Sequence, residues 1–373
     1  MAALRVHRHK HHANDGVGKH YGVNRSLILR NLELGFRFWM QYGDEAMRVV
    51  PAMLAIAVAS LSVGTVQSGL RAGHAVAFIG VEKGVALEIL DWGGSGRPLI
   101  VLAGLNNTAH VFDEFAPHFT ARFHVIGITR RGFGASSRPE NGYRITTLAH
   151  DVLMVCDRLR LDRVVLVGHS IAGDELTTFA ATYPTRVGAL VYLDAAYDRT
   201  KAPQSTRAPE QPMTDADRAS LEALNARFAR VFGWRLPEDE LRAQLVIDSH
   251  DKPLRSTLSP EIAEQVLESV ETPHYSKVRA PALALYEPGL VRSTYPNYDA
   301  FDADNRARAD QSVTALRPWR EASMAQFRHS VRKGRIIGLT SGNHYIFLTN
   351  EAEVVGTIRR FLDSVLEKEP AGQ

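Results

Sequence analysis

Val164-Val165-Leu166-Val167-Gly168-His169-Ser170-Ile171-Ala172-Gly173 decides the fold. Its opening apolar run carries no charge, as in a strand covered on both faces; a half-exposed strand would alternate with polar residues. A helical pattern follows from Ile171 to Thr182. Ser170 therefore sits on a strand-to-helix turn, with Gly168 two residues before it and Ala172 two after. Small residues are needed there because the turn is tight, and its strain lifts the hydroxyl clear of the backbone. The helix N-terminus adds partial positive charge near the oxygen. The plainer reading is a serine capping an ordinary turn.

Working outward, strands and helices alternate. Val76–Val81 and Ala86–Leu90 read as strands joined at Lys83-Gly84. Leu99–Leu102, His124–Ile128, Arg163–Val167 and Leu190–Leu193 are further strand candidates. Helical periodicity covers Val111–Phe119, Thr147–Leu159 and Ile171–Thr182. Such alternation predicts a mostly parallel sheet with helices on both faces. It breaks between residues 198 and 279, too long a stretch for a simple connection. Three helical pieces are expected there: Asp215–Phe232, Glu238–Ile247 and Pro260–Ser269. They would form a cap over the strand ends, where open α/β sheets bind ligands. Alternation resumes with the strand Pro281–Tyr286, a helix near Pro318–Val331, the strand Arg335–Leu339 and a closing helix Glu351–Leu366. The core thus spans 75–197 and 280–367, with 198–279 as the cap insertion.

Residues 1–48 read as a basic leader, disordered or untranslated, holding eight Lys/Arg against four Asp/Glu. The remaining 36 and 37 nearly cancel, so the body carries no electrostatic footprint for nucleic acid. Residues 49–66, VVPAMLAIAVASLSVGTV, contain no charge and are about long enough to cross a bilayer. They read either as a signal peptide starting at Met47-Arg48 or as a retained anchor offering membrane association. A soluble helix is the third reading. Export to the periplasm or beyond, or anchoring, fits better than a cytoplasmic location. The run His7 to His12 reads as a charge-rich tail rather than a metal site. Cys156 is the single cysteine, which excludes an intrachain disulfide and a cysteine zinc cluster. It reads as a small buried side chain. No cofactor or metal is called for.

A serine hydroxyl needs a base. His344, in Ser341-Gly342-Asn343-His344-Tyr345, lies between the last strand and the final helix, where such a base belongs. His329 falls within a helix, His250 and His274 fall in the cap, and the His169 side chain should point away along the turn. An oxyanion needs two donors. The Ile171 N–H, just after the serine, is one. The Leu105 N–H in Ala103-Gly104-Leu105-Asn106-Asn107 is the other, aimed by the turn that Gly104 permits.

Together with Thr129-Arg130-Arg131-Gly132-Phe133-Gly134-Ala135-Ser136, these motifs resemble the α/β-hydrolase fold superfamily, in particular its bacterial serine esterase-like branch. The resemblance runs from about Val76 to Leu366. It implies the α/β-hydrolase fold, a mostly parallel sheet flanked by helices with a helical cap. Ala103 replaces a histidine common in such oxyanion loops, and Arg130 replaces the Asp that usually precedes Arg-Gly-x-Gly-x-Ser. The family's triad acid usually follows the strand matching Pro281–Tyr286, where this chain offers Glu287 but no Asp at the expected offset. Some members take the acid from the preceding strand's end, which is Asp194 here. Asp194 is favoured, Glu287 is the alternative, and Asp299, Asp302 and Asp304 trail.

The implied chemistry is hydrolysis of a small acyl substrate, a carboxylic ester first, through an acyl-enzyme on Ser170. Amidase, thioesterase, lactonase and acyltransferase reactions share the nucleophile. A non-catalytic ligand-binding homologue and a membrane-bound interaction module are the competing classes. Epoxide hydrolysis and dehalogenation fit poorly, because the branches that perform them carry Asp at the nucleophile position. Oligomeric state is open.

Overall fold

The computed structural model describes residues 69–71, 73–203 and 208–366. The leader and the apolar segment 49–66 lie outside the described residues. Among the described residues eleven strands form: β1 Gly69–Arg71, β2 His74–Glu82, β3 Val85–Gly93, β4 Arg97–Leu102, β5 Phe123–Ile128, β6 Val164–His169, β7 Val187–Leu193, β8 Leu245–Ile247, β9 Pro253–Ser256, β10 Ala282–Tyr286 and β11 Gly334–Gly338. Nine of them make one sheet in the order β1-β2-β3-β5-β4-β6-β7-β10-β11. The β1–β2, β2–β3 and β3–β5 pairs are antiparallel. From β5 to β11 every pair is parallel.

The apolar runs pack on both faces. Val165, Val167, Val191, Leu193, Leu283 and Leu285 join one core, with Phe112, Ile358 and Phe361. Their alternates Leu166, Leu190, Tyr192, Ala282 and Ala284 join the other, with Val152, Val155, Leu176 and Phe179. Successive side chains of a strand point to opposite faces, so only a sheet covered on both sides needs such uninterrupted runs. The covering helices include α1 Ile145–Arg158, α2 Ala172–Thr182 and, at the end, a helix over Glu351–Leu366. Cys156 lies buried on α1, and burial pushes its thiol up to about 12, as suits an inert core side chain.

Some elements differ from the sequence expectation. The helix expected over Val111–Phe119 is two short 3-10 turns, Ala109–Phe112 and Ala116–Phe119. Thr108 caps the first turn, and Pro117, which lacks an N–H, opens the second. Between β7 and β10 come α3 Leu221–Phe232, α4 Glu238–Gln244 and α5 Pro260–Glu268. The first is shorter than expected. Ser220 Oγ accepts the Ala223 N–H to start it, and Gly233, at φ 75°, ends it. The second stops early because Leu245–Ile247 pairs antiparallel with Pro253–Ser256, in keeping with its β-branched residues. The helix expected near Pro318 is α6, Ala303–Ser330, 28 residues with Pro318 inside. Only Ala309, Ser323 and Phe327 of it are buried, so its first half gave no apolar stripe to read. The closing helix, α7, has the expected bounds. Among the described residues no helix is long and apolar enough to cross a membrane.

Candidate active site

Strand register brings the site together. His169 and Leu193 are paired across β6 and β7, so Ser170 and Asp194 are the next residues on adjacent parallel strands. Both have positive φ, 54° at Ser170 and 45° at Asp194, a left-handed conformation uncommon outside glycine. Ser170 thus occupies the strained turn that its neighbours foretell. A Cβ on Gly168 would lie 2.6 Å from Leu176, and one on Gly173 would lie 2.1 Å from the Ala195 carbonyl oxygen. The tightness of the turn is thus real, and a Cβ on Gly168 would also lie 3.1 Å from Ala172 Cβ.

His344 Nε2 lies 2.9 Å from Ser170 Oγ, and its Nδ1 lies 2.7 Å from Asp194 Oδ2. Asp194 is 2% exposed. Its other oxygen, Oδ1, accepts the Tyr197 hydroxyl at 2.6 Å and the Glu287 N–H at 3.2 Å. Burial alone would raise this carboxyl, but the hydrogen bond and charge of His344, with Arg320 and Tyr197, hold it below the usual carboxylate range. Asp194 therefore stays ionised beside the imidazole.

Glu287 does not reach His344. Its carboxylate pairs with Arg320 and accepts the Gly289 N–H at 2.6 Å. Its backbone, rather than its side chain, serves the site through the bond to Asp194. Asp299 pairs with Arg292, and Asp302 caps α6. Asp304 lies in the first turn of that helix.

The loop after β4 meets the nucleophile. A Cβ on Gly104 would lie 3.3 Å from Ser170 Cβ and 2.7 Å from His169 Nδ1, so only glycine fits there. This puts Leu105 beside the Ser170 turn. Neither the Leu105 N–H nor the Ile171 N–H donates within the described residues, which leaves both as candidates to receive an anion.

The supporting contacts of several residues escaped the sequence reading. His169 does not point away: its ring is 4.6 Å from that of His344, and its Nε2 lies 3.0 Å from the His344 carbonyl oxygen. Burial, with His344 nearby, keeps its pKa well below the ordinary histidine value, so it is neutral and its Nε2–H donates. Arg130 donates to the carbonyls of Ala103 at 2.9 Å and Gly104 at 3.3 Å while pairing with buried Glu175. The departure from the usual Asp thus anchors the loop after β4 from behind. Asn343 Nδ2 donates to the Phe232 carbonyl at 2.6 Å, tying the histidine loop to the end of α3. Trp234 packs on Tyr345 at 4.7 Å. No sequence pattern flags such partners, because they belong to distant segments.

Comparison with known proteins agrees with this architecture. The α/β-hydrolase fold family model matches residues 97–243. A 2-(acetamidomethylene)succinate hydrolase of Mesorhizobium japonicum is 28% identical over 198 residues, 51% of this chain and 70% of that protein. An α/β-hydrolase superfamily protein of Bacillus subtilis is 34% identical over 38% of this chain and 50% of its own length. The crystal structure of an E-2-(acetamidomethylene)succinate hydrolase superposes over 78% of this chain and 99% of its own, with TM-score 0.54 and 19% identity. The chain has the α/β-hydrolase fold. An α/β-hydrolase enzyme is the coarse class this supports, its relatives including proteins named hydrolase and others named haloperoxidase.

Proposed function

We propose that the chain is a serine hydrolase that cleaves a carboxylic ester of a small acyl substrate through an acyl-enzyme on Ser170. The observation that carries this reading is the continuous hydrogen-bonded line from buried Asp194 through His344 to Ser170 Oγ. Asp194 accepts the Nδ1–H of His344, which leaves the Nε2 lone pair facing the serine hydroxyl. As Oγ attacks the acyl carbon, its proton passes to Nε2, and Asp194 stabilises the imidazolium. The negative charge on the carbonyl oxygen falls to the N–H groups of Ile171 and Leu105. The imidazolium then gives its proton to the departing alkoxide as the C–O bond breaks. Water, deprotonated by His344, attacks the acyl-enzyme and releases the acid and Ser170.

A fluorophosphonate probe tests the nucleophile. Purified parent protein should label, and Ser170→Ala should not. Absence of labelling in the parent, or equal labelling in the variant, refutes the proposal. A second reading, amide cleavage by the same residues, draws on the acetamidomethylene compound in the name shared by a sequence relative and a structural one. Rates on p-nitrophenyl acetate and acetanilide separate the two. Faster turnover of the anilide would favour the amide.

A further inference from the structure

Away from the triad, four metal-ligating side chains converge from three parts of the chain. His74 opens β2, His110 and Asp113 belong to the turn after β4, and Asp239 sits on α4 of the insertion. One donor atom from each lies within 4.8 Å of the others. Both histidines are 4% exposed. We propose that His74, His110, Asp113 and Asp239 form a binding site for a zinc-like divalent ion that staples the insertion to the core.

A hydrogen-bonded charge cluster is the plain alternative, and His110 Nδ1 does hydrogen-bond Asp113 Oδ2 at 3.1 Å, but that bond leaves His74 unaccounted for. His74 Nδ1 lies 3.1 Å from Asp113 Oδ1. That oxygen is buried without a well-aligned hydrogen-bond partner, and His74 Nε2, on the far side of the ring, is buried without one as well. Buried polar atoms are seldom left so. Two ligands of one metal meet in this way, close but not pointing at each other. With metal–ligand bonds of about 2.0–2.1 Å, neighbouring ligand atoms of a tetrahedral ion stand about 3.4 Å apart. A pair at the 4.8 Å limit would close by about 1.4 Å as the ion enters.

The donor set selects the ion. Two imidazoles and two carboxylates suit zinc and its first-row neighbours, whereas calcium and magnesium prefer oxygen alone. Glu88, with Oε1 3.8 Å from His110 Nε2, would orient that ring from outside the ligand set. Four protein ligands leave no open position, so the ion's role is structural. The next residue after Asp239 shows what it would hold. Glu240 is wholly buried and accepts the Thr108 N–H at 3.0 Å and Asn107 Nδ2 at 2.8 Å. Asn107 in turn accepts the Tyr345 hydroxyl at 2.9 Å, beside His344. An ion there would clamp α4 onto the loop that carries Leu105.

The test uses full-length, tag-free protein with His7, His9, His11 and His12 changed to Ser, so that the tail takes up no metal. After stripping with chelator, zinc is titrated calorimetrically and melting is followed. One zinc per chain should bind, and Tm should rise by about 5 °C at a hundredfold excess over Kd. Cobalt should give the strong visible bands of a tetrahedral site. Asp239→Asn, on a half-buried position, should fold and weaken binding at least tenfold. His74→Gln with His110→Gln should abolish it. No zinc uptake, or unchanged affinity in Asp239→Asn, overturns the proposal.

Discussion

Replacing Asp194 by Asn tests the site most sharply. The Tyr197 hydroxyl and Glu287 N–H both donate to Oδ1, so the amide oxygen keeps that position. The amide nitrogen then takes the place of Oδ2, 2.7 Å from His344 Nδ1. An N–H there donates to Nδ1 and forces the ring hydrogen onto Nε2, which faces Ser170 Oγ at 2.9 Å. A protonated Nε2 cannot take the serine's proton. The expected loss in kcat is about 10³–10⁴, or roughly 4–5.5 kcal/mol at about 1.36 kcal/mol per decade. Folding should survive, because each hydrogen-bond position is still filled. Glu287→Gln is the matched control. It weakens the pair with Arg320 but keeps the backbone bond to Asp194, so kcat should stay within about tenfold of the parent. The assay is steady-state hydrolysis of p-nitrophenyl acetate, with a thermal melt of each variant. A large loss in Glu287→Gln together with near-parent activity in Asp194→Asn would refute the reasoning.

Arg130→Met alone should destabilise the protein by about 3–5 kcal/mol, because Glu175 is left buried and unpaired. Changing both to Met should restore much of that stability in a denaturant melt. The double variant should still lose about 10–10² in kcat rather than rise in KM, since the Ala103 and Gly104 carbonyls lose their anchor; unchanged kcat would exclude this positioning role. Asp174, fully buried and bound to Arg199, supplies a pH test. Burial pushes its carboxyl up to about 6 against the Arg199 charge. Between its unfolded value near 4 and about 6 the folded chain holds a proton that the unfolded chain releases, so this group's contribution to stability falls as pH rises. The change is on the order of 3 kcal/mol. Urea melts at pH 4.5 and 6.5 should show a weaker decline in Asp174→Asn than in the parent; equal declines would refute it.

The strands were legible because each parallel strand must be apolar on both faces, a local requirement written into runs such as Val164–Val167. The long helix α6 was half missed because few of its residues are buried. The strand Leu245–Ile247 was read as helix because its partner lies beyond a turn that periodicity does not register.

Ser170 and His344 could be picked out from sequence because a strained turn and a late loop leave local marks: small neighbours, and a histidine between the last strand and helix. The choice between Asp194 and Glu287 leaves no such mark. Both follow apolar strands, and both lie at the sheet end that holds the serine. Only the register of β6, β7 and β10 decides which carboxylate faces the imidazole, and it turns Glu287 toward Arg320 instead. The same holds for His74, His110, Asp113 and Asp239. Their meeting depends on how β2, the turn after β4 and α4 pack, and contacts between distant segments have no period in a sequence.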